Sequence, residues 1–187
     1  MKTYIKYLFV FLAITACNND DNKKTTNPID QLPPATQTGA NTAGCLVNGV
    51  AFLPKGYFPG GNLVCNYIDG KDFILSIGER IMQGSSDIMR DVSFGSQNQN
   101  LHDNVGVTYL LGENNFDGNS KYGNYIIYNN TNSSEINYET NSIVTGEFKI
   151  TYHNYNSAIL SGTFWFDAVN ANGEKVEVRE GRFDIHY

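Results

Sequence analysis

Beyond residue 39 the chain alternates short apolar runs with clusters of Gly, Asn and Asp, and no stretch carries a sustained 3.6-residue stripe. Two runs flank Asn48-Gly49 and two more flank Asp69-Gly70, dipeptides that tolerate the positive φ angles of tight hairpin turns. The spacing predicts strands over 45–47, 50–53, 62–68, 71–77, 87–94, 105–111, 122–128, 135–138, 146–152, 159–169 and 175–187. About ten short strands at near-regular spacing imply an all-β fold, an antiparallel β-sandwich or small barrel with little helix.

Toward the C-terminus the alternation also assigns faces. Phe148, Ile150 and Tyr152 share one face, and Glu147, Lys149, Thr151 and His153 the other. In the next strand Leu160, Phe164, Phe166 and Ala168 point one way, with Thr163, Trp165 and Asp167 opposite. The final strand changes parity: Val176 and Val178 are even, whereas Phe183, Ile185 and Tyr187 are odd. One extra residue must be absorbed, and Glu180-Gly181 predicts a β-bulge at Gly181. With the turn near Asn172, Arg179 stands across from Trp165, and Asp167 falls close to Glu177.

The first residues are patterned differently. Lys2 and Lys6 precede an apolar run over 8–14 that is too short to span a bilayer, so 1–16 reads as a signal peptide. Ile14-Thr15-Ala16-Cys17 resembles the bacterial lipobox, which implies a diacylglycerol at Cys17, cleavage before it, and palmitate-type acylation of the new N-terminus. Residues 17–38 are almost devoid of apolar side chains and are expected to form a disordered tether, with a root-mean-square span of about 25 Å. Asn18-Asn19-Asp20-Asp21 resembles the export signal that carries Bacteroidota lipoproteins to the outer face of the outer membrane, against the plainer reading of a solvated linker. The β-domain is expected over 39–187.

Composition narrows the function classes. The 187 residues carry 13 Lys+Arg against 19 Asp+Glu, a net charge of −6, and removal of 1–16 makes it −8. No basic run exists to neutralise phosphates, so a nucleic-acid partner is not expected.

Two blocks carry a family likeness: Thr38-Gly39-Ala40-Asn41-Thr42-Ala43-Gly44-Cys45-Leu46-Val47-Asn48-Gly49, and Ser161-Gly162-Thr163-Phe164 followed by Gly181-Arg182-Phe183-Asp184. Together they resemble small Bacteroidota lipoproteins classed as a domain of unknown function, with Ala43 standing where that pattern has an aromatic residue. The resemblance implies an anchored all-β domain and assigns no activity.

Candidate chemistry is sparse. Cys45 and Cys65 would close a loop of about twenty residues as a disulfide, adding about 3 kcal/mol, or remain buried free thiols. His102, His153 and His186 lack metal-pair spacing and read as scattered surface residues. The oxygen-rich stretch from Glu113 to Ser120 misses the spacing of a calcium loop and reads as a solvated turn. No nucleophile elbow or phosphate-cradling loop is present, so no enzyme, metal or cofactor is expected. Trp165 with Thr163 and Asp167 has the makeup of a sugar-stacking platform, unless that sheet is buried on both faces and Trp165 is core. The expectation is an outer-membrane lipoprotein facing the cell exterior, a non-catalytic binding module for a glycan, peptide or partner protein. The alternative is a structural or envelope-assembly lipoprotein without a small-molecule ligand.

Overall fold

Asn48 and Gly49 adopt φ of 48° and 78°, and the hairpin they close pairs Cys45, Leu46 and Val47 with Phe52, Ala51 and Val50. This hairpin opens the domain in a computed structural model that describes residues 27–98, 101, 105–113 and 120–187. Eleven strands follow one another among these residues. They are β1 (Thr42–Val47), β2 (Val50–Phe52), β3 (Leu63–Ile68), β4 (Asp72–Gln83), β5 (Ser86–Gln97) and β6 (Thr108–Leu111), then β7 (Lys121–Asn129), β8 (Ser134–Glu139), β9 (Gly146–Asn154), β10 (Ile159–Val169) and β11 (Lys175–His186). The expected strand at 71–77 is longer than predicted. β4 and β5 stay paired out to Gln83 and Ser86, because the polar residues past Ile77 are ion-paired across the ladder, Glu79 with Arg90 and Arg80 with Asp87.

All pairings between strands are antiparallel, and the sheet runs β2-β1-β11-β10-β8-β7-β5-β4-β3. It forks at β10. Residues 159–166 pair with β9, which carries β6 on its far edge, while Val169 pairs with Glu139 of β8. Folding at this fork lays β4 and β5 over β9, β10 and β11, a sandwich-like arrangement that does not close. Its core is aromatic: Phe94 stacks on Phe164 at 4.3 Å between ring centroids, and Phe73 meets Phe148 at 5.6 Å and Phe183 at 6.0 Å. Such pairs contribute about 0.5–1.5 kcal/mol each beyond the area they bury.

The parity change in β11 is absorbed as predicted, one residue earlier. Phe164 pairs with Gly181 and Phe166 with Val178, so Trp165 faces both Arg179 and Glu180. Glu180 takes the left-handed conformation (φ 56°), while Gly181 is buried where a Cβ would lie 2.5 Å from the Phe164 carbonyl oxygen. Gly181 is there for close approach, and its neighbour carries the bend. A second bulge between Ile150 and Tyr152 was not anticipated. It places His153 opposite Leu160, so His153 leaves the polar face and packs edge-on to Tyr67 at 4.9 Å.

The tether expected over 17–38 meets the domain sooner than predicted. A 3-10 turn over Pro28–Gln31, capped by the Asn27 side chain, leads into a strap whose Leu32 is buried. The strap ends on Asp184. That carboxylate is 1% exposed and accepts hydrogen bonds from Thr36 Oγ1 (2.6 Å), Thr38 N (2.9 Å), Thr38 Oγ1 (3.2 Å), Gly39 N (2.8 Å), Ala40 N (3.2 Å) and Ser161 Oγ (2.8 Å). Burial pushes its pKa up, but the bonds from Thr36, Thr38, Ser161 and Gly39 outweigh burial and hold it far below the ordinary carboxylate range. Residues 1–26, including Cys17 and the 1–16 segment, lie outside the described residues.

Asp184→Asn replaces an acceptor oxygen with an amide that faces donors, and should lower stability at pH 7 by about 2–4 kcal/mol in urea melts. The folded-state pKa is depressed, so this stabilisation is present above the unfolded value, about 4, and fades as pH falls below it. The difference between wild type and variant should therefore shrink from pH 5 toward pH 2, and a pH-independent difference would contradict the latch.

Candidate functional site

The outer face of β9, β10 and β11 carries a groove of about 590 Å³. Strand register builds its floor in two adjacent rows. Thr108, Lys149, Thr163 and Arg182 are successive partners across β6, β9, β10 and β11. The neighbouring row runs Glu147 and Trp165, and ends at the Arg179-Glu180 bulge. Side chains two apart on one strand share a face about 6.8 Å apart, so Thr163 and Trp165 stand side by side. Ala35 of the strap forms part of the lining.

Trp165 is 38% exposed and lines the groove, so it is not core. Its Nε1–H donates to Glu147 Oε2 at 3.3 Å, and the Arg179 guanidinium lies 5.4 Å from its ring centroid, the cation–π contact that the turn at Asn172 predicted. Arg179 is itself held by the Phe166 and Val178 carbonyl oxygens at 3.0 and 2.9 Å and by Asp167. It is therefore held over the indole, and a sugar stacking on that face of Trp165 would compete with it.

Of the three residues singled out in the sequence, Trp165 and Thr163 line the groove and Asp167 does not. Asp167 accepts from Arg179 Nη2 at 2.5 Å and from Lys175 Nζ at 3.0 Å. Burial raises its pKa, but those two cations prevail and hold it below the ordinary range. Glu177 stands opposite Asp167 as expected, and Lys175 bridges the two carboxylates, 2.9 Å from Glu177. The pair is neither a bare repulsion nor a cation cage, because the protein supplies its own cation.

Glu147, Lys149 and Arg182 were not singled out. Alternation had put Glu147 and Lys149 on the outer face, but only the pairing of β9 with β10 brings them beside Trp165. Asp91 of β5 also escaped notice. Burial raises its pKa while Ser76 and Ser93 act against the shift, and it belongs to the other layer, away from the groove.

Cys45 and Cys65 are free thiols on β1 and β3, which are not neighbouring strands. Burial pushes the Cys65 thiol up to about 12 and raises Cys45 as well. His186 is exposed, with Nδ1 3.0 Å from the Ser157 carbonyl oxygen, whereas His153 Nε2 lies 3.0 Å from the Tyr187 hydroxyl in a cluster with Tyr67 and Tyr155. His102 and the stretch 114–119 lie outside the described residues. Among the described residues no group of three or more His, Cys, Asp or Glu is placed to hold a metal ion.

The groove and its scaffold define an all-β sandwich-like domain with a polar, aromatic-floored cleft on one sheet face. The chain belongs to the family described as a domain of unknown function (DUF6252), whose match covers residues 81–184. That span takes in Ser161-Gly162-Thr163-Phe164 and Gly181-Arg182-Phe183-Asp184, and begins after the block at 38–49. No curated protein and no solved structure matches the chain.

Thiol titration checks the cysteine assignment. In the native protein Ellman's reagent should leave Cys45 unmodified and react only slowly with Cys65, and both should react fully in denaturant without prior reduction. A requirement for reductant would show a bridge.

Proposed function

We propose that this protein is a lipid-anchored, non-catalytic binding module of the outer membrane that faces the cell exterior and takes a glycan in the groove over β9–β11. The observation that carries the reading is the exposed Trp165 on the floor of a 590 Å³ groove, flanked by hydroxyl, carboxylate and cationic side chains. An indole offers a flat apolar face to the C–H side of a sugar ring, and the surrounding polar groups supply hydrogen bonds to its hydroxyls. Docking of an envelope partner is the second reading. It is less favoured because the most exposed apolar side chains, Ile143, Tyr57, Met82 and Val50, sit on separate loops and strands. The anchor rests on the lipobox-like Ile14-Thr15-Ala16-Cys17 and the signal-like residues before it. From Cys17 to Asn27 the chain has a contour length of about 35 Å, so the domain would stand close to the bilayer.

Trp165 is the sole tryptophan, so its emission reports on the groove alone. Titrating the full chain with a glycan panel should shift that emission for at least one saccharide. Trp165→Ala should weaken the same binding, read by calorimetry, at least tenfold, about 1.4 kcal/mol, with the melting temperature little changed. Silence across the panel would remove the glycan reading and leave the partner-docking one. Separately, Cys17→Ser should move the protein from the membrane fraction to the soluble fraction, and retention on the membrane would contradict the anchor.

A further inference from the structure

We infer that the glycan taken by this groove is acidic, carrying a carboxylate or sulfate, an inference that rests on the glycan reading above. The first ground is charge placement. Of the thirteen lysines and arginines, four precede Asn27, and three of the other nine line the groove: Lys149, Arg179 and Arg182. Four of the nineteen carboxylates, Asp20, Asp21, Asp103 and Asp117, lie outside the described residues, and only two of the other fifteen line the groove: Glu147 and Glu180. In an acidic chain the groove lining thus carries one more cation than carboxylate.

The second ground is what those cations already hold. Arg179 is committed, through Asp167, Phe166 O and Val178 O. Lys149 is exposed, and among the described residues no carboxylate lies within ion-pair distance of its Nζ. Arg182 donates Nε–H to the Glu180 carbonyl oxygen at 3.2 Å, and its Nη2 stands 3.7 Å from the Glu180 carboxylate, beyond hydrogen-bond reach. Two cations with donors to spare therefore flank Thr163.

Register fixes their spacing. Lys149 and Arg182 are the partners of Thr163 on either side, so their Cα atoms are about 10 Å apart, close enough for both long side chains to converge on one anionic group. A pyranose stacked on Trp165 would direct a ring substituent toward the Thr163 row about 6.8 Å away, between those two cations. A neutral sugar would cover Lys149 without pairing its charge and leave Arg182 only the long contact to Glu180, whereas a uronate or sulfate ester gives both charge-assisted bonds.

The test titrates the full chain, followed by Trp165 emission and calorimetry. The ligands are a tetragalacturonate, its neutral methyl ester, a carrageenan tetrasaccharide whose only anionic groups are sulfate esters, tetraglutamate and sodium sulfate. The uronate or the sulfated sugar should bind at least about tenfold tighter than the neutral ester, and which of the two binds identifies the anionic group. Lys149→Ala with Arg182→Ala should erase that preference and most of the salt dependence. Lys149→Glu, on an exposed side chain, should do so alone if the double variant is unstable. Equal binding of the ester and the uronate, unaffected by these variants, would overturn the acidic class while leaving a glycan site intact. Tetraglutamate or sulfate binding as tightly as the uronate would overturn the sugar itself. Failure of every saccharide to bind would overturn this inference together with the reading beneath it.

Discussion

A carboxylate removed from water must be given hydrogen bonds or be protonated, and that requirement organises this protein around Asp184. The residue lies on β11 in the middle of one layer, and five of the six groups that satisfy it come from the strap at Thr36–Ala40. Meeting its demand draws the strap onto the sheet and brings Ala35 to the groove lining. The Asn41 side chain accepts from the His186 backbone at 2.9 Å and extends the same seam into β1. Thr38, Gly39, Ala40, Ser161 and Asp184 are drawn from the blocks that carry the family likeness. Those blocks supply both frame and site, since Thr163, Phe164, Gly181 and Arg182 of the same blocks line the groove, and the motif by itself names no ligand.

The groove depends on a second constraint, the need to bury odd and even residues of β11 on one face. The bulge at Arg179-Glu180 meets it, and doubles the residues opposite Trp165 from one to two. Arg179 is thereby available to sit against the indole while still reaching Asp167. The bulge in β9 works in the opposite sense. It turns His153 into a cluster with Tyr67, Tyr155 and Tyr187 that joins β3, β9 and the C-terminus across the open side of the sandwich.

Much of the strand content was legible in the chain because alternation and Asn-Gly or Asp-Gly turns are local signals. Ile159–Val169 appears with the expected bounds, and the parity slip after Val178 announced its bulge. What escaped depends on partners distant in sequence. The second half of β4 extends past the expected end at 77, where Glu79 and Arg80 pair with Arg90 and Asp87. The strap has almost no apolar residue of its own and is ordered by a carboxylate about 146 residues away. Trp165 and Thr163 could be placed on one face from the pattern, but Lys149 and Arg182 join them only through strand pairing. Asp167 shared that face and was claimed by Lys175 and Arg179, which alternation cannot reveal.

The order of these features along the chain has a mechanical consequence. Ala35 comes before Thr36–Ala40, and those residues come before β1. A pull applied from the N-terminal side thus loads the 3-10 turn and the buried Leu32 first, then Ala35 in the groove lining and the bonds to Asp184, and only afterwards the sheet. The bonds to Asp184 therefore stand between the strap and the sandwich, so tension on the strap would disturb the groove lining before it loaded the sheet.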